Sequence, residues 1–379
     1  MATIFVTLTL LLLTVNFVSI GIASLRLAGR KNRRMKLADD RAVSIVIPLR
    51  GIEAFSEETL SRAFNLGWAN YELIFCVADG FDPILPLVND AIAAHRNIPA
   101  RILIGDDRIS ANPKLNNCAK GWAAARHEWV ILADSNVLMP RDYIGNMIAE
   151  WRPDTGLVCS TPIGSRPDGF WAEVECAFLN TLQARWQYVG EAVGLGFAQG
   201  KSMLWHKPFL DAAGGMQALA AEIAEDAAAT KLVNRVGKKV HLVSAPFEQP
   251  LGKRRLHEIW SRQGRWARLR RVTFPLFFAP EILLGAVPPL ACGLLAAAML
   301  DLNMFLAGLA VLAAVYLPEM ALAAAKDWRV SWRLLPAMMV RDIILPGIWL
   351  RSWISGSFEW RGNAMTIGTQ ESELGPSAA

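Results

Sequence analysis

The chain has 379 residues, 53% of them apolar, with 14 tryptophans and a formal net charge of +5. The length gives ample core for one large domain or two smaller ones, and the positive mean hydropathy of +0.27 argues against a fully solvated globule, because Trp gathers where a membrane meets water. Five scattered cysteines (Cys76, Cys118, Cys159, Cys176, Cys292), none in a CxxC pair, read as reduced thiols with no disulfide framework and no zinc site, while the charge suits an anionic membrane surface or substrate and, on charge alone, nucleic acid.

Residues 2–25 carry no charge. At about 1.5 Å per residue they span a hydrocarbon core of about 30 Å, which predicts a transmembrane anchor. The basic cluster Arg26, Arg30, Lys31, Arg33, Arg34 and Lys36 follows the apolar run, whereas a cleaved signal peptide carries its charge first. The expectation is a retained anchor over 1–25, a basic linker over 26–41 and a cytoplasmic remainder; a cleaved signal is the alternative.

Residues 42–273 read as a globular domain. Short apolar runs ("VSIVIP", "ELIFCVA", "RILIG", "EWVILAD") alternate with helical stretches near 56–66, 83–95 and 114–126. Strands apolar on both faces and separated by helices predict an open α/β fold with a mostly parallel sheet covered by helices. Ligands collect outside the carboxyl ends of such strands. There this chain places Arg50-Gly51, Asp79-Gly80-Phe81-Asp82 and Asp134-Ser135-Asn136. Any one such Asp also serves as a turn residue, but two carboxylates on one rim favour a ligand site. A dinucleotide fingerprint is absent, since "PLRGIEAF" stands where GxGxxG would be needed.

An Asp at a strand end followed by two oxygen-bearing side chains can hold a hard divalent cation, Mg²⁺ typically taking one or two carboxylates plus phosphates; the alternative is an Asx-turn. Glu225 and Asp226 stand before an Ala-rich helix, as a cap or as an active-site base. The stretch 253–271, "KRRLHEIWSRQGRWARLRR", predicts a basic helix on anionic lipid or a solvated face, and its arginines also suit a diphosphate. Residues 282–300 and 302–325 predict two membrane spans broken at Asp301-Leu302-Asn303. Residues 334–354 contain Arg341, Asp342 and Arg351, each costing roughly 2.5 to 3.5 kcal/mol at a helix centre. Either those charges pair and face a protein cavity, or the segment is re-entrant or lies along the interface; Glu319, Arg341 and Asp342 either line a lipid's entry or pair with one another within the helix bundle. The C-terminal membrane region is placed at 274–356 and a polar tail at 357–379.

The order Asp79, Asp134-Ser135-Asn136, Glu225-Asp226 and Arg262-Gln263-Gly264-Arg265-Trp266 resembles the D, DxD, D, (Q/R)xxRW series of processive and lipid-directed glycosyltransferases with the GT-A fold. With "VADGFDP", "NPKLNNCAKG", "GLVCSTP", "LDAAGG" and "FEWRGN", the chain resembles the ceramide glucosyltransferases of glycosyltransferase family 21 from about Val43 to Asn363.

That resemblance implies a UDP-sugar donor (UDP-glucose or UDP-galactose), a membrane lipid acceptor (ceramide or diacylglycerol), no nucleic acid, and Mn²⁺ or Mg²⁺ as cofactor. Asp79 would contact the uridine, Lys114 would lie against the nucleotide, Asp134 and Asn136 would face the metal, and Asp226 would be the general base. Arg262, Arg265 and Trp266 would close over the diphosphate. Asn136 departs from the DxD pattern with a neutral side chain. The implied reaction is a single displacement giving a β-glycolipid, with one sugar added or several. The Ala-rich chain reads as bacterial, which puts it in an inner membrane. The alternatives are a polysaccharide synthase of the same catalytic fold, and a non-catalytic membrane protein that binds nucleotide-sugar or lipid.

Overall fold

The computed structural model describes residues 1–28 and 41–354 with their side chains and the backbone of 357–360 and 363–366. Most of the expected basic linker and the end of the expected tail lie outside the described residues. Nine strands precede residue 254: β1 (Val43–Leu49), β2 (Tyr71–Val77), β3 (Ala100–Ile104), β4 (Trp129–Ala133), β5 (Thr155–Cys159), β6 (Ile163–Asp168), β7 (Ser202–His206), β8 (Lys239–Leu242) and β9 (Glu248–Lys253).

Seven of them form one sheet in the order β3-β2-β1-β4-β7-β5-β8. The first four are mutually parallel, and β7 runs antiparallel to both β4 and β5. All seven residues of β1 and of β2 are buried, as a sheet with both faces covered requires. Ile45, Leu73, Phe75 and Ile131 point into one core, roofed by the helices Ser56–Ala63 and Leu85–Ala94. Val46, Ile74, Val130 and Leu132 enter the other, which continues into Ile20, Ala23 and Leu27 of the first helix and into the C-terminal helices.

Among the described residues, Ala2–Ala28 and Met304–Ala325 are long and apolar enough to cross a membrane. A bent pair, Pro275–Leu283 and Val287–Met299, angled at 41°, makes a third if counted as one. The single helix expected over 282–300 is thus interrupted. Gly285 takes φ +79, where an added Cβ would lie 2.7 Å from the Asp342 carboxyl, and Asp342 Oδ2 accepts from Ala286 N at 2.8 Å. Pro288 and Pro289 then start the next helix, where a missing N–H costs nothing. The expected break at 301–303 is present, with Asn303 Oδ1 accepting from Leu306 N at 3.0 Å.

Residues 334–354 form one helix, and its Arg341 and Asp342 are paired. Arg341 bonds Asp342 at 2.7 Å and Glu319 at 3.0 Å, and both Arg341 and Glu319 are 0% exposed. None of the three lines the large cavity. A helical run over 170–192, with a π-helical centre at Phe178–Ala184, ties this group to the sheet domain through Thr181 and Arg185.

Candidate active site

The site is built on the C-terminal end of β4. Antiparallel pairing sets Ala133 against Ser202, and Asp134 N donates to Lys201 O at 2.9 Å, so the next residue outward on each strand meets across the sheet edge. Lys201 Nζ lies 2.6 Å from Asp134 Oδ2 and 2.9 Å from Asn136 Oδ1. From the other side, Lys114 Nζ reaches Asp134 Oδ1 at 2.6 Å and Glu225 Oε1 at 2.6 Å.

Lys114 is held by the way its helix begins. Asn112 caps Pro113–Ala124, its Oδ1 accepting from Lys114 N and Leu115 N, while its Nδ2 donates to Glu225 Oε2 at 2.7 Å. Gly200 permits the close approach, since a Cβ there would lie 2.8 Å from Glu225 Oε1. Burial opposes charge on Asp134, but the two ammonium groups outweigh it and hold its carboxyl well below the usual range. Burial likewise works against a charged Lys114, and the Asp134 and Glu225 charges raise its pKa regardless. For Lys201 burial prevails, and with Arg262 and Lys114 nearby its pKa falls below the ordinary lysine value despite Asp134.

Asp226 follows Glu225 in the first turn of Glu225–Arg235, and its Oδ1 accepts from Ala227 N at 2.8 Å. Burial and the neighbouring Glu225 charge raise its pKa to about 6, against the pull of Lys114. Both acids line the cavity, but Glu225 is engaged in holding Lys114 and Asn112, whereas Asp226 Oδ1 accepts from the backbone of its own helix turn.

Arg262, Arg265 and Trp266 come from the helix Leu256–Thr273 and line the same cavity. Arg262 stacks on Trp266 at 4.6 Å and bonds the buried Glu175 at 2.7 Å, which also holds Arg254 at 3.0 Å. Asp79 stands apart: it is exposed at the end of β2, accepts from Phe81 N at 2.9 Å, and does not line the cavity. The structure therefore brings together Lys114, Asp134, Asn136, Asp226, Arg262, Arg265 and Trp266, and leaves Asp79 on the outer rim.

Sequence reasoning missed Lys201, Glu175 and the pairing role of Glu225. For Lys201 the only signal was a lone lysine before an apolar run, "GKSMLWH". A hard divalent ion needs several oxygen ligands. Here lysine donors occupy both Asp134 oxygens and Asn136 Oδ1, and among the described residues no three Asp, Glu, His or Cys are gathered to hold a metal. In this arrangement the residues do not fit a resident Mn²⁺ or Mg²⁺.

The cavity encloses about 1460 Å³. It is lined by Asp134, Lys201 and Asp226 and also by Leu11, Leu12 and Val15 of the first helix with Leu283 and Leu284. Phe197, which also lines it, meets Phe274 and Phe277 edge to face.

The family model for glycosyl transferase family 21 matches residues 11–373. Ceramide glucosyltransferase 1 of Caenorhabditis elegans is 30% identical over 247 residues, covering 65% of this chain and 53% of that protein. Ceramide glucosyltransferase 3 of the same organism is 24% identical over 336 residues, 86% of this chain and 72% of that protein. The chain thus spans about half the length of the first of these relatives. A mannosyltransferase from Pyrobaculum calidifontis, solved in complex with GDP-Man and Mn²⁺, is similar at TM-score 0.53 and 16% identity, covering 92% of this chain and 98% of that one. The likeness is one of fold, the mixed, mostly parallel α/β sheet of GT-A glycosyltransferases. With the family match running over nearly its whole length, the chain belongs to glycosyl transferase family 21.

Proposed function

We propose that the protein is a membrane-bound inverting glycosyltransferase that moves a hexose, glucose or galactose, from a UDP-sugar to the hydroxyl of ceramide or diacylglycerol, giving a β-glycolipid. The observation that carries this reading is one cavity lined both by the Asp134 cluster and by apolar side chains of a membrane-length helix. A nucleotide-sugar suits the charged side chains and a lipid chain the apolar ones. In this reading the first helix anchors the chain, residues 42–273 form the catalytic domain on the cytoplasmic side of a bacterial inner membrane, and 274–356 complete the membrane region.

The acceptor oxygen attacks the anomeric carbon from the side opposite UDP. The new C–O bond forms as the C–O bond to phosphate breaks, its electron pair leaves with UDP, and the acceptor proton passes to Asp226. A carboxylate whose pKa is raised to about 6 is a stronger proton acceptor than an ordinary Asp and is still ionised at neutral pH. Negative charge grows on the leaving phosphate, where Lys114, Arg262 and Arg265 supply preorganised positive charge and Trp266 backs the Arg262 plane. Asp79, on the same rim, is assigned to the uridine. Asp134 and Asn136, the pair expected to face Mn²⁺ or Mg²⁺, meet lysine donors, and no step is routed through a metal.

The test uses detergent-purified protein, radiolabelled UDP-glucose or UDP-galactose, and mixed micelles of ceramide or diacylglycerol. Label in the lipid extract, lost in Asp226→Asn, is the expected result. Label confined to water or to an insoluble polymer overturns the reading.

A further inference from the structure

In the GT-A arrangement the charge of the departing diphosphate must be met at the end of β4, and this chain meets it there with an amine. We infer that the Lys201 ammonium is the resident cation of the donor site, standing between Asp134 and Asn136 where a divalent ion would sit, so that nucleotide binding and sugar transfer proceed without metal. The inference rests on the glycosyltransferase reading above.

Three observations carry it. The first is position: Lys201 Nζ is bound by Asp134 Oδ2 at 2.6 Å and Asn136 Oδ1 at 2.9 Å, the two side chains the DxD-like motif offers. An ammonium has three N–H donors. These two bonds leave one for a phosphate oxygen, and Lys201 lines the cavity. The second is rigidity, since the backbone bond from Asp134 N to Lys201 O and the β4–β7 pairing fix the lysine to the sheet rather than to a loose loop. A charge fixed before the substrate arrives needs no reorganisation during reaction.

The third is charge. Asp134 already faces two ammonium groups, the second being Lys114 at 2.6 Å. A divalent ion entering there would have to displace one of them or lie beside both, against unscreened repulsion in a partly buried site. The neutral Asn136 fits the same scheme. An amide oxygen accepts an N–H bond without adding negative charge, so within this motif Lys201 faces one carboxylate rather than two.

The experiment is UDP binding by calorimetry on the detergent-purified full chain, in EDTA and in Mn²⁺, together with label transfer in the same buffers. The wild type is expected to bind UDP within about twofold in the two buffers and to retain no Mn²⁺ by metal analysis after desalting. Lys201→Met removes the charge while keeping an unbranched chain. It is expected to lose about tenfold or more of its UDP affinity in EDTA, and to recover it with Mn²⁺ because the vacated oxygens then accept the ion. UDP binding or transfer by the wild type that vanishes in EDTA and returns with Mn²⁺ overturns the inference while leaving the glycosyltransferase reading intact. Absence of UDP binding and of transfer in every buffer overturns both. A Lys201→Met variant that binds UDP like the wild type in EDTA also overturns the inference.

Discussion

Arg185 and Glu319 meet at 3.1 Å with both side chains shut away from solvent, one from the helical run beside the sheet and one from an apolar helix of membrane length. Asn16 of the first helix joins them, its Oδ1 accepting from Arg185 at 2.6 Å. Three separate parts of the chain therefore share one buried polar junction.

Removing the acid from this junction should be costly. Glu319→Gln leaves Arg185 and Arg341 without a shared counter-charge, and breaking a buried pair in this way costs about 3–5 kcal/mol. The expected result is a clear fall in Tm in detergent. A Tm unchanged by the substitution would mean that the two arginines are neutralised elsewhere.

Asp226 gives a pH signature. Its pKa is raised, so the carboxylate that the proposed mechanism needs as base is present above about pH 6 and is lost as pH falls through that value. Transfer at saturating donor should decline on the acid side of about 6 rather than about 4, and Asp226→Asn should lower it by roughly 10²- to 10⁴-fold. The stability effect has the opposite sign. A carboxyl with a pKa higher in the folded than in the unfolded state destabilises the fold as pH rises from the unfolded to the folded value. Asp226→Asn should therefore match or exceed the wild-type Tm at pH 7.

Glu175 is a positioning residue. It is fully buried and holds Arg254 and Arg262 on its two oxygens. Glu175→Gln should weaken UDP binding by roughly tenfold, the scale of losing charge-assisted bonds, while the KM for the lipid stays the same. Equal changes in both constants would indicate general unfolding instead.

Crowding the apolar lining should give the converse. Val15 lines the cavity from the first helix. Val15→Trp is expected to raise the lipid KM several-fold, about the effect of one displaced apolar contact, and to leave UDP affinity unchanged. A variant with normal lipid kinetics would place the acceptor route elsewhere.

The parts of this molecule that could be read from the sequence are those whose signal is local. Buried strands announce themselves as apolar runs, and Asp134 and Asn136 stand out because they end one of them. Asn303 marks its helix start in the same way. Lys201 could not be found so, because it meets Asp134 only once an antiparallel strand 67 residues further along is slotted beside β4. Glu175 was hidden for a related reason, since an acid in "FWAEVECA" looks solvated until Arg254 and Arg262, from much later in the chain, arrive. The interruption at Gly285 likewise depends on Asp342, a residue from a different helix. Asp79 shows the reverse limit: a strand-end position can be recognised, but whether its side chain turns inward is decided by the loop around it.

The first helix does more than hold the protein to a surface. Leu11, Leu12 and Val15 form part of the chamber wall, Asn16 enters the buried junction, and Arg26 at its far end bonds Glu191 at 2.5 Å. Such a segment is constrained in identity as well as in length and greasiness. On the proposed reading, grafting in another protein's membrane anchor would keep the chain attached yet spoil the compartment proposed for the acceptor, and trimming the helix away would remove part of the chamber wall.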